Sequence, residues 1–201
     1  MIHRRAFLSA VALLVGGLSV SRLAAANTSA VDFIRGMATR AIGVLKNTAN
    51  GDKQKREAEF RSIFRENFDI AAIGQFVLGI HWRNANEAQR AEYLKEFETY
   101  VVRTYAERLS EYSGEQLEVG RALEQGEKHY VDSLIRRPNG APPIRIVWEV
   151  EKRGGGFKVV DLKIENVSMS QTQRSDFGSF VSQNGGKVDA LIARLKQFNG
   201  R

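Results

Sequence analysis

The apolar residues of this chain change period at Gly114. Before it they recur every three or four positions, and after it they alternate. A chain patterned this way folds as helices followed by an antiparallel sheet. One layer must cover the other, because neither buries its apolar face alone.

The helical half divides at identifiable breaks. Val31, Ile34, Met37, Ala38, Ala41, Ile42 and Leu45 predict an amphipathic helix over 28–47, ended by Asn50-Gly51. A second helix is predicted over 52–66, with Phe60, Ile63 and Phe64 on one face. A shorter one spans 70–78 and stops at Gly79. Asn86 with Gln89 three residues on is a capping box, and it opens the longest helix, expected to reach Tyr112. Its stripe is Tyr93, Phe97, Tyr100, Val101, Tyr105, Leu109 and Tyr112, and Ser113-Gly114 ends it.

Four strands follow. Leu117 and Val119 lie on the first, and the second covers 127–137 up to the turn Pro138-Asn139-Gly140. The third sets Ile144, Ile146, Trp148 and Val150 against Arg145, Val147, Glu149 and Glu151. After Gly154-Gly155-Gly156 the fourth sets Val160, Leu162 and Ile164 against Val159, Asp161, Lys163 and Glu165. Short turns make this a four-stranded antiparallel meander whose apolar face only the helices can cover. Ser170 with Gln173 reads as the box opening a helix through Val181. Asn184-Gly185-Gly186 ends it, and a last helix presents Val188, Leu191, Ile192 and Leu195.

The first 26 residues read as a segment apart. Arg4 and Arg5, an uncharged run from Ala6 to Ser21, and Ala24-Ala25-Ala26 have the form of a cleavable secretory signal, with a cut expected before Asn27. Arg4-Arg5-Ala6-Phe7-Leu8 also resembles a twin-arginine motif. The run is short for a membrane span and Arg22 interrupts it. Three arginines of the formal +7 belong to this segment, leaving +4 on residues 27–201. A modest excess of this kind is weak evidence for nucleic acid; it fits either charge spread evenly for solubility or an anionic lipid surface or acidic partner. With no cysteine, disulfides and a cysteine-linked lipid anchor are excluded.

Reactive constellations are scarce. His81 and His129 lie far apart, without the close spacing of metal ligands. His81, before Trp82 at a helix end, reads as a surface or capping residue, and His129 opens a strand. Gly154-Gly155-Gly156 joins two strands and leads into no helix, so it is a turn rather than a phosphate loop. Asp161 reads as a solvent-facing or salt-bridged strand residue, and His129 with Asp161 is the one acid–base pair that can be named. No cofactor is expected. What remains is aromatic and aliphatic surface, which serves equally well as a filled core or as the wall of an unfilled cavity.

Several segments carry a resemblance. Leu78-Gly79 with Trp82-Arg83, Glu87-Ala88-Gln89, Phe97, Tyr105, Leu109, Tyr112-Ser113-Gly114, Lys158-Val159-Val160-Asp161, Val167-Ser168, Arg174-Ser175-Asp176-Phe177 and Leu191-Ile192-Ala193-Arg194-Leu195 stand in an order and spacing that resembles the MlaC/toluene-tolerance family, including its hopanoid-associated HpnM branch. The chain departs from that family at Phe157 (often tryptophan), Asn166 (usually glycine) and Gln173 (commonly tyrosine). The resemblance implies one α+β domain over 27–201, a curved antiparallel four-stranded sheet packed by helices in an NTF2/cystatin-like arrangement, with an apolar cavity. It further implies a periplasmic carrier of phospholipid or a hopanoid-type lipid that works without enzymatic activity. Its partners would be an inner-membrane ABC transporter complex with its substrate-binding subunit and an outer-membrane lipoprotein complex. The residues expected to line the cavity are Phe97, Tyr100, Val101, Tyr105, Ile146, Trp148, Val160, Leu162, Ile164 and Phe177. Lys163 and Arg174 are the headgroup candidates, and Val160→Glu is expected to abolish lipid binding. A small exported enzyme on an NTF2-like scaffold and a structural adaptor with a filled core are the rival readings.

Overall fold

The computed structural model describes residues 19–48, 52–108, 112 and 114–200. The positive n-region and the apolar run up to Leu18, the Asn50-Gly51 break, Leu109 and Ser113 lie outside the described residues.

Seven helices and one five-stranded sheet make up the described chain: α1 (Ser19–Asn47), α2 (Lys53–Asn67), α3 (Ile70–Leu78), α4 (His81–Asn84), α5 (Glu87–Arg108), β1 (Gln116–Gln125), β2 (Lys128–Arg136), β3 (Ile144–Arg153), β4 (Gly156–Ile164), β5 (Val167–Ser168), α6 (Met169–Gln183) and α7 (Val188–Phe198). The expected α+β fold is present. The sheet is an antiparallel meander in the order β1-β2-β3-β4-β5, with one strand more than the sequence suggests. β5 escapes a periodicity reading because it has two residues. Its hairpin turn is Glu165-Asn166, both left-handed at φ 48° and 66°. A two-residue turn of that hand matches the strand twist, and asparagine tolerates it where the resemblance leads one to expect glycine.

Caps set the helix ends. Asp52 and Asp69 accept from the amides of Lys55 and Ala72 at the starts of α2 and α3. The Asn86/Gln89 box forms in both directions, at 2.9 and 3.0 Å. Gly79 ends α3 at φ 61°, and an added Cβ would come within 3.2 Å of the Arg174 guanidinium. Two helix readings change. α1 begins at Ser19, ahead of the expected cleavage position. α6 is capped by Ser168 rather than Ser170: the Ser168 hydroxyl accepts from the Gln171 amide, while Asp161 accepts from the Ser168 hydroxyl at 2.6 Å and from the Ser170 amide at 3.0 Å. Asp161 is thus the anchor of the β4–α6 corner. His81, expected as a surface or capping residue, is buried at the start of α4.

The core has two parts, divided by α5. One side of that helix gives Val102 and Ala106 to a cluster with α1, α2 and the sheet. Tyr93 and Phe97 join a second cluster with α3, α6 and α7. The inner face of the sheet follows from the register. Val119, Ser133, Ile146 and Ile164 stand in one row, Val131, Trp148 and Leu162 in the next, and His129, Val150 and Val159 in the third. The third row depends on a β-bulge. Glu149 pairs with Asp161 but Val150 pairs with Val159, so Val160 is the extra residue. Strict alternation across β4 therefore fails. Val159 is fully buried in the core and Val160 turns away from it.

Candidate functional site

Between α1, α2, α5 and the inner face of the sheet lies a cavity of about 380 Å³. α1 lines it with Met37, Ala38, Ala41, Ile42 and Leu45, and α2 with Phe60, Ile63 and Phe64. Phe68 follows from the α2–α3 joint. α5 adds Val101, Val102 and Tyr105, and the sheet supplies Leu117, Ile135, Ile146, Trp148, Leu162 and Ile164. Ala38 and Ala41 leave space because their side chains are short on the face that α1 turns inward. The volume falls within the range of ligand pockets, about 300–1,000 Å³. The wall is almost wholly hydrocarbon and aromatic ring, so it offers partition rather than hydrogen-bond recognition.

Polar character is confined to one junction. Arg108, Glu115 and Gln116, where α5 gives way to β1, are the charged and amide residues of the lining, beside Tyr112. The Arg108 guanidinium lies 5.8 Å from the centre of the Tyr105 ring. Burial raises the pKa of the Tyr105 phenol and the charge of Arg108 opposes that rise. The one polar atom of Trp148 is satisfied at 2.9 Å by the Ser133 hydroxyl.

Six of the ten residues expected to line a cavity stand in this wall: Val101, Tyr105, Ile146, Trp148, Leu162 and Ile164. Three others pack instead in the second core cluster. The Phe177 ring lies 6.4 Å from that of Phe97 and 5.7 Å from that of Tyr100, all on the far side of α5. Val160, displaced by the bulge, lines a separate cleft of about 340 Å³ on the other face of the sheet. Neither headgroup candidate is at the cavity. Lys163 lies over the Tyr130 ring at 5.8 Å. Arg174 donates to the Phe76 carbonyl at 2.9 Å and covers that residue's ring, pinning α6 to α3. Both are corrected by packing partners distant in sequence. The α1 and α2 lining was missed as a site, although its apolar stripes were legible.

The second cleft is polar, and its charges answer one another. Lys128 pairs with Glu149 and Glu151, and Arg153 with Asp69 and Glu151. Asp161 there serves the α6 cap. His129 faces the opposite side of the sheet, buried and edge-on to Phe157 at 5.3 Å. The acid–base pair His129–Asp161 is therefore not assembled. Among the described residues no group of three or more potential metal ligands occurs, and no helix is long and apolar enough to cross a membrane.

The chain matches the family model described as MlaC protein over residues 35–197, well over half its length. It is similar to the intermembrane phospholipid transport system binding protein MlaC of Haemophilus influenzae, 23% identical over 98% of this chain and 94% of that protein. It is also similar to the toluene tolerance protein ttg2D of Pseudomonas putida, 23% identical over 80% and 77% of the two chains. In fold it matches the phospholipid-binding protein from Ralstonia solanacearum, solved in complex with a phospholipid, with a TM-score of 0.75 and 21% identity over 84% of this chain and 96% of that one. Together with the sheet, the helical cover and the apolar cavity, the family match places this chain in the MlaC family.

Proposed function

We propose that this protein carries lipid between membranes by enclosing acyl chain in the cavity between α1, α2, α5 and the sheet. The observation that carries this reading is the cavity itself: about 380 Å³ of apolar space in a chain of the MlaC family. The names of the relatives support it. One is a binding protein of an intermembrane phospholipid transport system, and a structure of the same fold was solved with a phospholipid. A structural adaptor would have a filled core here.

The mechanism is partition. Each methylene moved out of water contributes about 0.8 kcal/mol, so one ordinary acyl chain gains on the order of 10 kcal/mol gross before ordering costs. No covalent step is required, and the reading is of a carrier rather than an enzyme. The same magnitude makes release the difficult step. Docking on a membrane complex that opens the cavity would let the lipid pass without crossing water. The partners are proposed as an inner-membrane ABC transporter complex with its substrate-binding subunit and an outer-membrane lipoprotein complex. The cargo is a phospholipid or a hopanoid-type lipid. The export-type sequence of residues 1–26 supports a periplasmic location. Native mass spectrometry of the purified protein, followed by organic extraction, tests the proposal. A lipid adduct of one stoichiometry is expected, and protein that is empty both as isolated and after incubation with vesicles would end the carrier reading.

A further inference from the structure

The turn between α3 and α4 breaks a local rule. α2, α3, α5 and α6 each open on a side-chain cap. α4 opens on Ile80, which makes none, at a position where a small polar residue would satisfy a free amide. Ile80 is instead the most exposed large apolar residue among those described, at 68%. Phe76, four residues earlier on α3, is exposed as well. The Arg174 guanidinium ties the two together: it lies 4.7 Å from the Phe76 ring centre and would meet a Cβ added to Gly79 at 3.2 Å. Single exposed apolar side chains are ordinary. Two at one turn, one of them in a place that favours a polar residue, serve something outside the fold.

The charges around this turn have one sign. Residues 70–86 contain no Asp or Glu, and their one arginine, Arg83, is exposed three residues on from Ile80. Arg90 donates to the Trp82 carbonyl at 3.0 Å and lies over that ring. Elsewhere on the surface arginines meet carboxylates, as Arg40 meets Glu66, Arg136 meets Glu118 and Arg145 meets Asp132. Arg83, Arg90 and Arg174 form no ion pair among the described residues, and Arg174 has none with Asp176, two residues along α6. Unpaired cations around a small apolar tip complement an anionic bilayer surface, where the apolar groups enter the headgroup boundary and the guanidinium groups stay at its charged face. We infer that the α3–α4 turn is a membrane-surface foot, with Phe76 and Ile80 inserting and Arg83, Arg90 and Arg174 drawing it to anionic lipid. α3 and α6 belong to the second core cluster, on the far side of α5 from the cavity. The foot therefore seats the molecule on a membrane without using the cavity wall, and it stands whatever the cavity holds.

The test is co-sedimentation of the full chain with protein-free vesicles of phosphatidylcholine, with and without phosphatidylglycerol. The wild type is expected to pellet with the anionic vesicles, less so as salt is raised, and to stay in solution with phosphatidylcholine alone. Ile80→Ser is expected to lower the partition coefficient about tenfold through lost apolar burial, and Arg83→Gln about fivefold through lost attraction to the anionic surface. Ile80→Ser supplies the favoured cap and Arg83 is unpaired, so both variants keep the fold, which urea unfolding checks. Ile80→Trp is expected to raise the partition. Mass spectrometry of lipid carried by the same samples separates this inference from the carrier reading: the foot variants are expected to retain it at the wild-type level. A chain that carries no lipid but still pellets with anionic vesicles keeps the foot and removes only the carrier. Equal partition of wild type and Ile80→Ser overturns the foot. So does a wild type that pellets with native membranes and not with protein-free anionic vesicles, a result that would assign the turn to a protein partner.

Discussion

Leu162→Glu makes the strongest demand on the proposed cavity. Leu162 stands on the inner face of β4 opposite Trp148, in the cavity wall. With water in the cavity, a glutamate here stays solvated, and the fold loses about 1–2 kcal/mol of apolar contact. Entry of an acyl chain removes that water and disfavours the charged form. Such burial raises a glutamate pKa from about 4.3 toward about 7. At pH 7 that shift corresponds to about 3.5 kcal/mol, or a loss of about 300-fold in lipid affinity. The sign follows from linkage: the pKa is raised in the lipid-bound form, so binding recovers as pH falls, and at pH 5 the penalty shrinks to about 1 kcal/mol. The assay is quantitative mass spectrometry of lipid retained after incubation with vesicles at the two pH values. Leu162→Met, which conserves volume, should retain lipid at both. Val160→Glu should also retain it, because the bulge turns Val160 into the other cleft. Equal retention by Leu162→Glu and wild type at pH 7 would refute the placement of acyl chain against β4.

Three further outcomes follow from the supporting structure. Asp161→Ala removes the acceptor for the Ser168 hydroxyl and the Ser170 amide and should lower stability by about 1–2 kcal/mol in urea unfolding, without reducing bound lipid. Arg56→Ala deprives the Thr48 carbonyl, 2.6 Å away at the end of α1, and the Thr48 hydroxyl of their donor, and should cost about 1–3 kcal/mol by the same measurement. On the surface, hydrogen bonds from Arg40 and then Ser62 hold the Glu66 carboxyl down to about 2 from 4.5. Its contribution is present above the ordinary pKa and is lost as pH falls from 4.5 toward 2, so Glu66→Gln should flatten the acid limb of stability against pH over that window.

How far the sequence reaches can be argued element by element. Helices with a local signature were legible: the apolar run and Gly79 bound α3, and the Asn86/Gln89 box starts α5. The bulge was not. An extra residue in β4 leaves the composition of the strand unchanged and reverses the alternation only relative to β3, so Val159 and Val160 exchange roles without a local sign. Phe97, Tyr100 and Phe177 show a related limit. An inward apolar residue looks the same whether it meets another side chain or empty space, and α5 has one of each on its two sides. Arg174 was misread because its partner, Phe76, is 98 residues away. The cavity wall on α1 was legible as a stripe, but only the gap left by Ala38 and Ala41 distinguishes wall from core.

The central claim is that acyl chain lies against the inner face of the sheet. The chain has two tryptophans, and only Trp148 lines the cavity; Trp82 packs in the second cluster. In a Trp82→Phe background, loading with a phospholipid brominated along its acyl chain should quench Trp148 emission relative to the unlabelled lipid at equal occupancy. Full emission from Trp148 with the brominated lipid bound would contradict the account.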